Sequence, residues 1–386
     1  MNTTKRSFLK LSLLSAGLLV APFGFAGAES AHTRAPHNAS VSISVFVNSG
    51  LNNPRGLRFG PDGDLYVAEG GTGGTNPAKC NGVPYIVPTV GPYTGSDTGG
   101  RISRIDRDGN RTTVTDTLPS SQTAPIPGPL VSGVADIAFI DGKMYGLLAG
   151  AGCSHGVTIP NGVVRVHPKD GTWKLIADLS AFQQANPVKN PNDDPKTGDF
   201  EPDGTWWSMV AVHDDLYAVE PNHGEMVKIT TKGKITRVID ISASQGHVVP
   251  TSIAYDDGAF YVSNLGTFDP DQLNTQSIFK ITPRGRLSVV GTGFSKVLGL
   301  AIDRRDRLYL LETSYSTTSP GPEPFTGRLI RIQPNGRQEV LDTNNMLMFP
   351  TGMTFGPDGA LYISNFGFGG PPGAGQILRV KLSDDD

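Results

Sequence analysis

Charge, cysteine and long apolar runs are all scarce in this chain. Only 18% of its 386 residues are Asp, Glu, Lys or Arg, split into 33 basic and 36 acidic. That balance offers no basic surface for the phosphates of nucleic acid. Cys80 and Cys153 are the two cysteines, and neither stands in a metal-binding spacing, which argues against a structural zinc site. Helix-length stretches are few as well, because 48 Gly and 30 Pro interrupt the sequence. What is abundant instead is turn chemistry.

The one extended apolar stretch, Leu11 to Phe25, is preceded by Lys5, Arg6 and Lys10 and followed by Ala26-Gly-Ala28. A basic start, a short apolar segment and a small-residue cleavage site read as an export signal over residues 1–28. A transmembrane anchor is the other reading, but the stretch is short and broken by Gly and Pro, so no membrane span is expected in the mature chain. Thr4-Lys-Arg-Ser-Phe-Leu-Lys10 resembles a twin-arginine signal with Lys5 in the first arginine position, which leaves the export route open. Removing these three basic residues from the 33 leaves 30 against 36 acidic ones, a net charge of −6. The expected location is periplasmic or extracellular, where a disulfide between Cys80 and Cys153 can persist; two unpaired thiols are the alternative.

One segment recurs six times. It is clearest as Pro54-Arg-Gly-Leu-Arg-Phe-Gly-Pro-Asp-Gly-Asp-Leu-Tyr-Val-Ala-Glu69 and Pro350-Thr-Gly-Met-Thr-Phe-Gly-Pro-Asp-Gly-Ala-Leu-Tyr-Ile-Ser-Asn365. Two alternating apolar runs around an Asp-Gly turn predict a β-hairpin, and Tyr66, Tyr145, Tyr217, Tyr261, Tyr309 and Tyr362 fix the register of the copies. A third run follows each hairpin, as in Arg101-Ile-Ser-Arg-Ile-Asp106 and Ile377-Leu-Arg-Val380, and usually a fourth, as in Arg111-Thr-Thr-Val-Thr115. Four antiparallel strands repeated six times predict an all-β six-bladed β-propeller. The sixth copy lacks a fourth run, whereas Val41-Ser-Ile-Ser-Val-Phe46 has no hairpin of its own. This N-terminal strand is therefore expected to close the last blade, making residues 29–386 one domain.

The insertions fall on one side of such a disc. Strands two and three are joined by Gly70 to Gly99, Ala149 to Gly162, Leu265 to Gln276, Ser314 to Gly327 and Phe366 to Gly375, and the links Leu118 to Ser132 and Leu179 to Trp206 emerge on the same face. Long loops on a rigid scaffold are where binding usually resides. Cys80 and Cys153 lie in the insertions of neighbouring blades, so their pairing would clamp two of these loops.

Three residues beyond each Tyr stand Glu69, Leu148, Glu220, Asn264, Glu312 and Asn365. Converging on the channel mouth, Glu69, Glu220, Asn264, Glu312 and Asn365 would suit one divalent cation, Ca²⁺ or Mg²⁺; alternatively, each caps its own loop by accepting backbone N–H groups. The innermost strands begin at Arg55, Ala135, Ser208, Thr251, Leu298 and Thr351. Arg55, Tyr85, Trp206 and Trp207 are candidate ligand-binding residues on the loop face, and His223 and His247 are candidate acid–base residues, since histidine titrates near neutral pH. His155 reaches the same face. Gly152-Cys-Ser-His-Gly156 matches the G-x-S-x-G nucleophile pattern but opens no helix, and Gly70-Gly-Thr-Gly-Gly74 lacks the helix that a phosphate loop needs.

The two clearest copies, together with Gly99-Gly-Arg-Ile-Ser-Arg-Ile105, resemble the ScyD/ScyE family over nearly the whole mature chain. That resemblance implies an exported six-bladed propeller of the NHL and gluconolactonase-like superfamily, without agreed catalytic residues. Calcium-dependent lactonases and the seven-bladed streptogramin lyases are more distant relatives by the same likeness. The lactonases draw a metal cage from Glu, Asn and Asp on channel-facing strands, where this chain has Arg55, Thr251, Leu298 and Thr351. The expected function is thus binding of a small organic ligand or a partner protein on the loop face, with a metal-dependent lactonase or lyase as the alternative.

Overall fold

The computed structural model describes residues 41–123, 130–196, 198–267, 273–316 and 322–382; the export signal read over residues 1–28 lies outside them. Each Asp-Gly repeat is a hairpin. Pro54–Phe59 pairs antiparallel with Leu65–Glu69, and Gly352–Phe355 with Leu361–Asn365. At the turns, Gly63 and Gly359 hold φ of 82° and 76°, a left-handed backbone that a side chain would strain. The recurring Tyr explains itself here. Tyr66 donates its hydroxyl to Asp62 at 2.8 Å and Tyr362 to Asp358 at 3.2 Å, while Arg104 and Arg379 on the third strands pair with Asp64 and Asp358, both at 2.5 Å.

Blade one continues with Tyr93–Ile105 and Arg111–Thr123. Blade two comprises Val134–Ile140, Lys143–Leu148, Gly162–Val166 and Trp173–Asp178, and blade three Ser208–Val212, Asp215–Glu220, Glu225–Thr230 and Ile235–Asp240. Blade four runs through Pro250–Asp256, Ala259–Asn264, Gln276–Ile281 and Leu287–Phe294, and blade five through Val297–Ile302, Leu308–Glu312, Arg328–Ile332 and Gln338–Leu341. In blade six, Gly375–Leu382 is followed by Val41–Leu51, paired antiparallel from Val41 opposite Leu382 to Leu51 opposite Gly375. The chain is a six-bladed β-propeller whose last blade is closed by the N-terminal strand.

The core is divided as the blades are. One apolar cluster fills each junction, for example Tyr66, Ile102 and Leu118 against Val134, Ile137 and Met144 between blades one and two. Val47, Tyr362 and Ile377 of blade six meet Leu57, Leu65 and Val67 of blade one in the same way. Each sheet therefore buries both faces, and closure hides the inner edges.

Blade one departs from the expected pattern. Its third and fourth strands are 13 residues each, so much of Gly70 to Gly99 and of the link from Leu118 is a β-ribbon rising above the disc. Residues 94–100 are Thr, Gly, Ser and Asp, without the apolar alternation that marks a strand packed on a core. They pair instead through backbone and polar contacts, such as Thr94 Oγ1 donating to the Gly74 carbonyl at 2.8 Å. A Cys80–Cys153 disulfide, 73 residues apart in sequence, ties the flap of blade one to the short turn Cys153–His155 of blade two. Between blades two and three, helix Leu179–Ala185 starts where Asp178 accepts the Ala181 N–H at 2.8 Å. Among the described residues, no helix is long and apolar enough to cross a membrane.

Candidate ligand site on the loop face

The second strands end at Glu69, Glu220, Glu312 and Asn365, all fully buried, and these four share one geometry. Each accepts a backbone N–H from the lead-in to its own blade's innermost strand: Asn52 N–H to Glu69 at 2.5 Å, Thr205 to Glu220 at 2.7 Å, Ser295 to Glu312 at 2.7 Å and Met348 to Asn365 at 2.8 Å. In each of these four blades the donor stands three positions before the entry residue that the repeats align, Arg55, Ser208, Leu298 or Thr351. The lead-in needs such a tie, because Asn53, Lys296 and Phe349 turn there with φ of 53°, 47° and 45°, a conformation costly for residues with a side chain. The remaining oxygens are also engaged. Glu69 accepts Arg101 Nε at 2.9 Å and Ser103 Oγ at 2.5 Å, Glu312 accepts Arg328 Nε at 2.6 Å, and Glu220 accepts the N–H groups of Asn222 and His223. Burial raises the carboxyls of Glu220 and Glu312 above the usual range, opposed at Glu312 chiefly by Arg328. Asn264 differs: its Nδ2 donates to the Ser277 carbonyl at 2.6 Å, while Oδ1 is enclosed with no partner among the described residues.

These positions are therefore not brought together around a common point. Among the described residues, the group of three acidic, His or Cys side chains with ligand atoms within 4.8 Å of one another is Cys80, Cys153 and Asp203, and its two sulfurs are spent in the disulfide. The donor set of Glu69, Glu220, Asn264, Glu312 and Asn365 does not fit a shared divalent cation, since its carboxylates already serve backbone N–H groups and arginines.

The starts of the innermost strands stitch neighbouring blades. Thr351 Oγ1 donates to the Pro54 carbonyl at 2.6 Å, Thr251 Oγ1 to Val297 at 2.5 Å and Arg55 Nη2 to Val131 at 2.5 Å. Ser208 Oγ donates to Asp136 Oδ2 at 2.9 Å. Beneath this ring, the channel lined by Arg58, Asp136, Ser252 and Thr351 has a volume of about 30 Å³, room for about two waters. Asp136 also accepts the N–H groups of Met209 and Ile137 at 2.8 Å; burial holds its carboxyl above the usual range, with Arg58 opposing.

A strap over residues 198–205 organises the loop face through contacts of Asp199, Phe200, Glu201 and Asp203. Asp199 Oδ2 lies 3.0 Å from His247 Nε2. The Phe200 carbonyl accepts the Tyr85 hydroxyl at 2.7 Å, and its ring stacks on His223 at 4.7 Å. The Glu201 carbonyl accepts His223 Nε2 at 2.8 Å, while Glu201 Oε2 meets His155 Nε2 at 2.6 Å. On the far side of that imidazole, Ser121 Oγ lies 2.6 Å from Nδ1, and Tyr93 stacks at 4.1 Å. Ser121, His155 and Glu201 are at most 1% exposed, so this array locks the strap to the ribbon of blade one and the turn Cys153–His155 of blade two rather than presenting a nucleophile. Asp203 Oδ2 accepts both the N–H and the hydroxyl of Ser154.

The candidate residues thus separate by place. Tyr85, His223 and His247 hold the strap; burial and the nearby Glu201 and Asp203 push the Tyr85 hydroxyl up to about 12. Trp206 is fully enclosed in the core between blades two and three, because successive residues of an extended chain point to opposite sides. Trp207 lines the channel mouth, and the Arg55 guanidinium lies 4.6 Å from its ring centre. Asp199, Glu201, Ser121 and Tyr93 were not singled out from the sequence. The signal for the two acids was Asp199-Phe-Glu-Pro-Asp203, three acids spaced two apart in a chain whose loop-face histidines needed partners; Ser121 and Tyr93 carried none.

No family description and no curated protein matches the chain. Solved structures do resemble it. A protein of unknown function from Bacteroides thetaiotaomicron is 13% identical with a TM-score of 0.54, covering 89% of this chain and 76% of its own. The PQQ-bound aldose sugar dehydrogenase of Streptomyces coelicolor is 16% identical at 0.52, covering 90% and 100%. A gluconolactonase of Xanthomonas campestris is 9% identical at 0.50, covering 91% and 96%. The likeness is one of fold. At such identities, neighbours that are enzymes and a neighbour of unknown function share a scaffold with this chain, and chemistry must be argued from the site.

Proposed function

We propose that the protein is an exported β-propeller of the ScyD/ScyE type that binds a small organic ligand at the loop-face mouth of its channel. The observation that carries the reading is the mouth itself: Trp207, partly exposed and stacked with Arg55, sits above a channel of about 30 Å³. A pocket that takes a drug-sized molecule whole needs about 300 Å³ or more, so a ligand held at this channel rests on its mouth rather than inside it. The disulfide and the Glu201–His155 contact support the reading by fixing the loops that frame it, which lowers the ordering cost of binding. The disulfide also suits an exported chain.

The lactonase or lyase alternative draws only on likeness of fold, because the residues that would hold its cation are engaged by backbone N–H groups and arginines. Docking of a partner protein has one observation in its favour, the exposed Val83 and Ile86 on the flap, at 64% and 60%. The experiment is a thermal-shift screen of small organic compounds against the wild type, Trp207→Ala and a Val83→Ser/Ile86→Ser double variant. Compounds that raise Tm in the wild type and the flap variant but not in Trp207→Ala are expected. A screen without hits, or hits indifferent to Trp207, would overturn mouth binding.

A further inference from the structure

Among the described residues, three arginines are less than a tenth exposed: Arg55 at 6%, Arg307 at 7% and Arg331 at 3%. Two of them have carboxylates. Arg307 meets Asp303 at 2.6 Å and Arg331 meets Glu339 at 2.6 Å. Arg55 has none. Its hydrogen bond runs from Nη2 to the Val131 carbonyl, its guanidinium carbon lies over the Trp207 ring, and its charged neighbourhood contributes only the Tyr93 hydroxyl. Burial lowers its pKa to about 10, and it remains a cation at neutral pH. Tyr93 is itself held neutral, because burial and then Glu201 drive its hydroxyl well above the usual value.

A desolvated cation without a counter-ion is costly, and one that persists in a rigid mouth is poised for an anion. We infer that Arg55, braced by Trp207 and the Val131 carbonyl, holds the carboxylate of a small organic acid whose body rests on the loop face. This rests on the proposed binding at the mouth and names its ligand chemistry. Val131 takes one N–H of the guanidinium, and the planar fork of the remaining donors is the geometry that meets a carboxylate through two parallel N–H···O bonds. One cation balances one negative charge, so a monoanion is favoured over a phosphate dianion. The basic residue lining the channel, Arg58, instead reaches toward the Met209 carbonyl and opposes the raised pKa of Asp136.

The test is titration of the full chain with benzoate, benzamide, chloride and phosphate, followed by tryptophan fluorescence and calorimetry, in wild type, Arg55→Gln, Arg55→Lys and Trp207→Phe. Expected are saturable binding of benzoate, at least about tenfold weaker binding of benzamide, and a loss of about tenfold or more in Arg55→Gln, with Arg55→Lys between. The fluorescence response should disappear in Trp207→Phe. Without added anion, Arg55→Gln should melt at or above the wild-type temperature, which separates lost binding from lost folding. Benzoate binding unchanged in Arg55→Gln, benzamide binding as tightly as benzoate, or chloride or phosphate competing on equal terms would each overturn the assignment. If benzamide binds through Trp207 independently of Arg55, mouth binding stands and the anion fails; if no probe and no screened compound binds, both fail.

Discussion

A single side chain decides how four of the six blades begin. At Glu69, Glu220, Glu312 and Asn365 the side chain ends the second strand and turns back to hold the lead-in N–H. A carboxylate and an amide oxygen serve equally in that role, which is why Glu and Asn alternate at one register. Asp136 does comparable work at the channel wall, accepting from Ile137, Met209 and Ser208, but at a cost in solvation that raises its pKa. Between the ordinary Asp value of about 3.9 and the raised folded value, the folded state keeps a proton that the unfolded chain has released. Stability from this residue therefore falls as pH rises through that window. Because Glu220, Glu225 and Glu312 are raised too, the informative quantity is a difference. Urea unfolding of wild type and Asp136→Asn between pH 4 and 7 should show the wild type losing ground to the variant as pH rises. A gap that is flat, or that widens in favour of the wild type, would remove burial as the cause.

The hairpins were legible because their information is local: alternation, an Asp-Gly turn and a Tyr that bonds its own turn. The ribbon of blade one and the strap were not. Residues 94–100 lack a core to face, so no apolar period marks them, and Asp199 and Glu201 acquire meaning only from His247, His223 and His155, which lie 22 to 48 residues away in sequence. The oxygen-bearing ring was legible as a set but not in its role, since a glutamate reads alike whether it would face a cation or an amide. The pairing of Cys80 with Cys153 was legible from loop placement, and it joins elements with little core of their own: the flap packs only Ala78, Val87 and Tyr93, with Tyr85 and Val90 beside them. A Cys80→Ser/Cys153→Ser variant should lose up to about 4 kcal/mol for a 73-residue closure in the chain-entropy treatment. The loss should concentrate in the flap, so trypsin should cut after the exposed Lys79 well before the blades open. Flap and ring resisting trypsin equally in both proteins would show that the ribbon, not the disulfide, holds the flap.

At the scale of the whole molecule, closure rests on one strand. Val41–Leu51 supplies the outer edge of blade six, and its Val47 and Leu51 are buried with Leu57, Leu65 and Ile377 at the junction with blade one. Every junction has a cluster of similar make, so no blade is terminal once the ring is shut, and the six should unfold as one unit. Removing residues 41–51 changes this at a single place: it bares Gly375–Leu382 as a free edge and forfeits two fully buried apolar side chains and several half-buried ones, about 5 kcal/mol or more. The truncated chain should unfold at lower urea, with a broadened transition as blade six frays first, and it should self-associate through the new edge. A synthetic peptide of residues 41–51 should restore the sharp transition and suppress association, because an added strand can satisfy the Val41-to-Leu382 register from outside. If the truncated chain unfolds at the wild-type midpoint with undiminished cooperativity, the five complete blades must close on themselves without the strand, and the ring would owe its stability to its junctions alone.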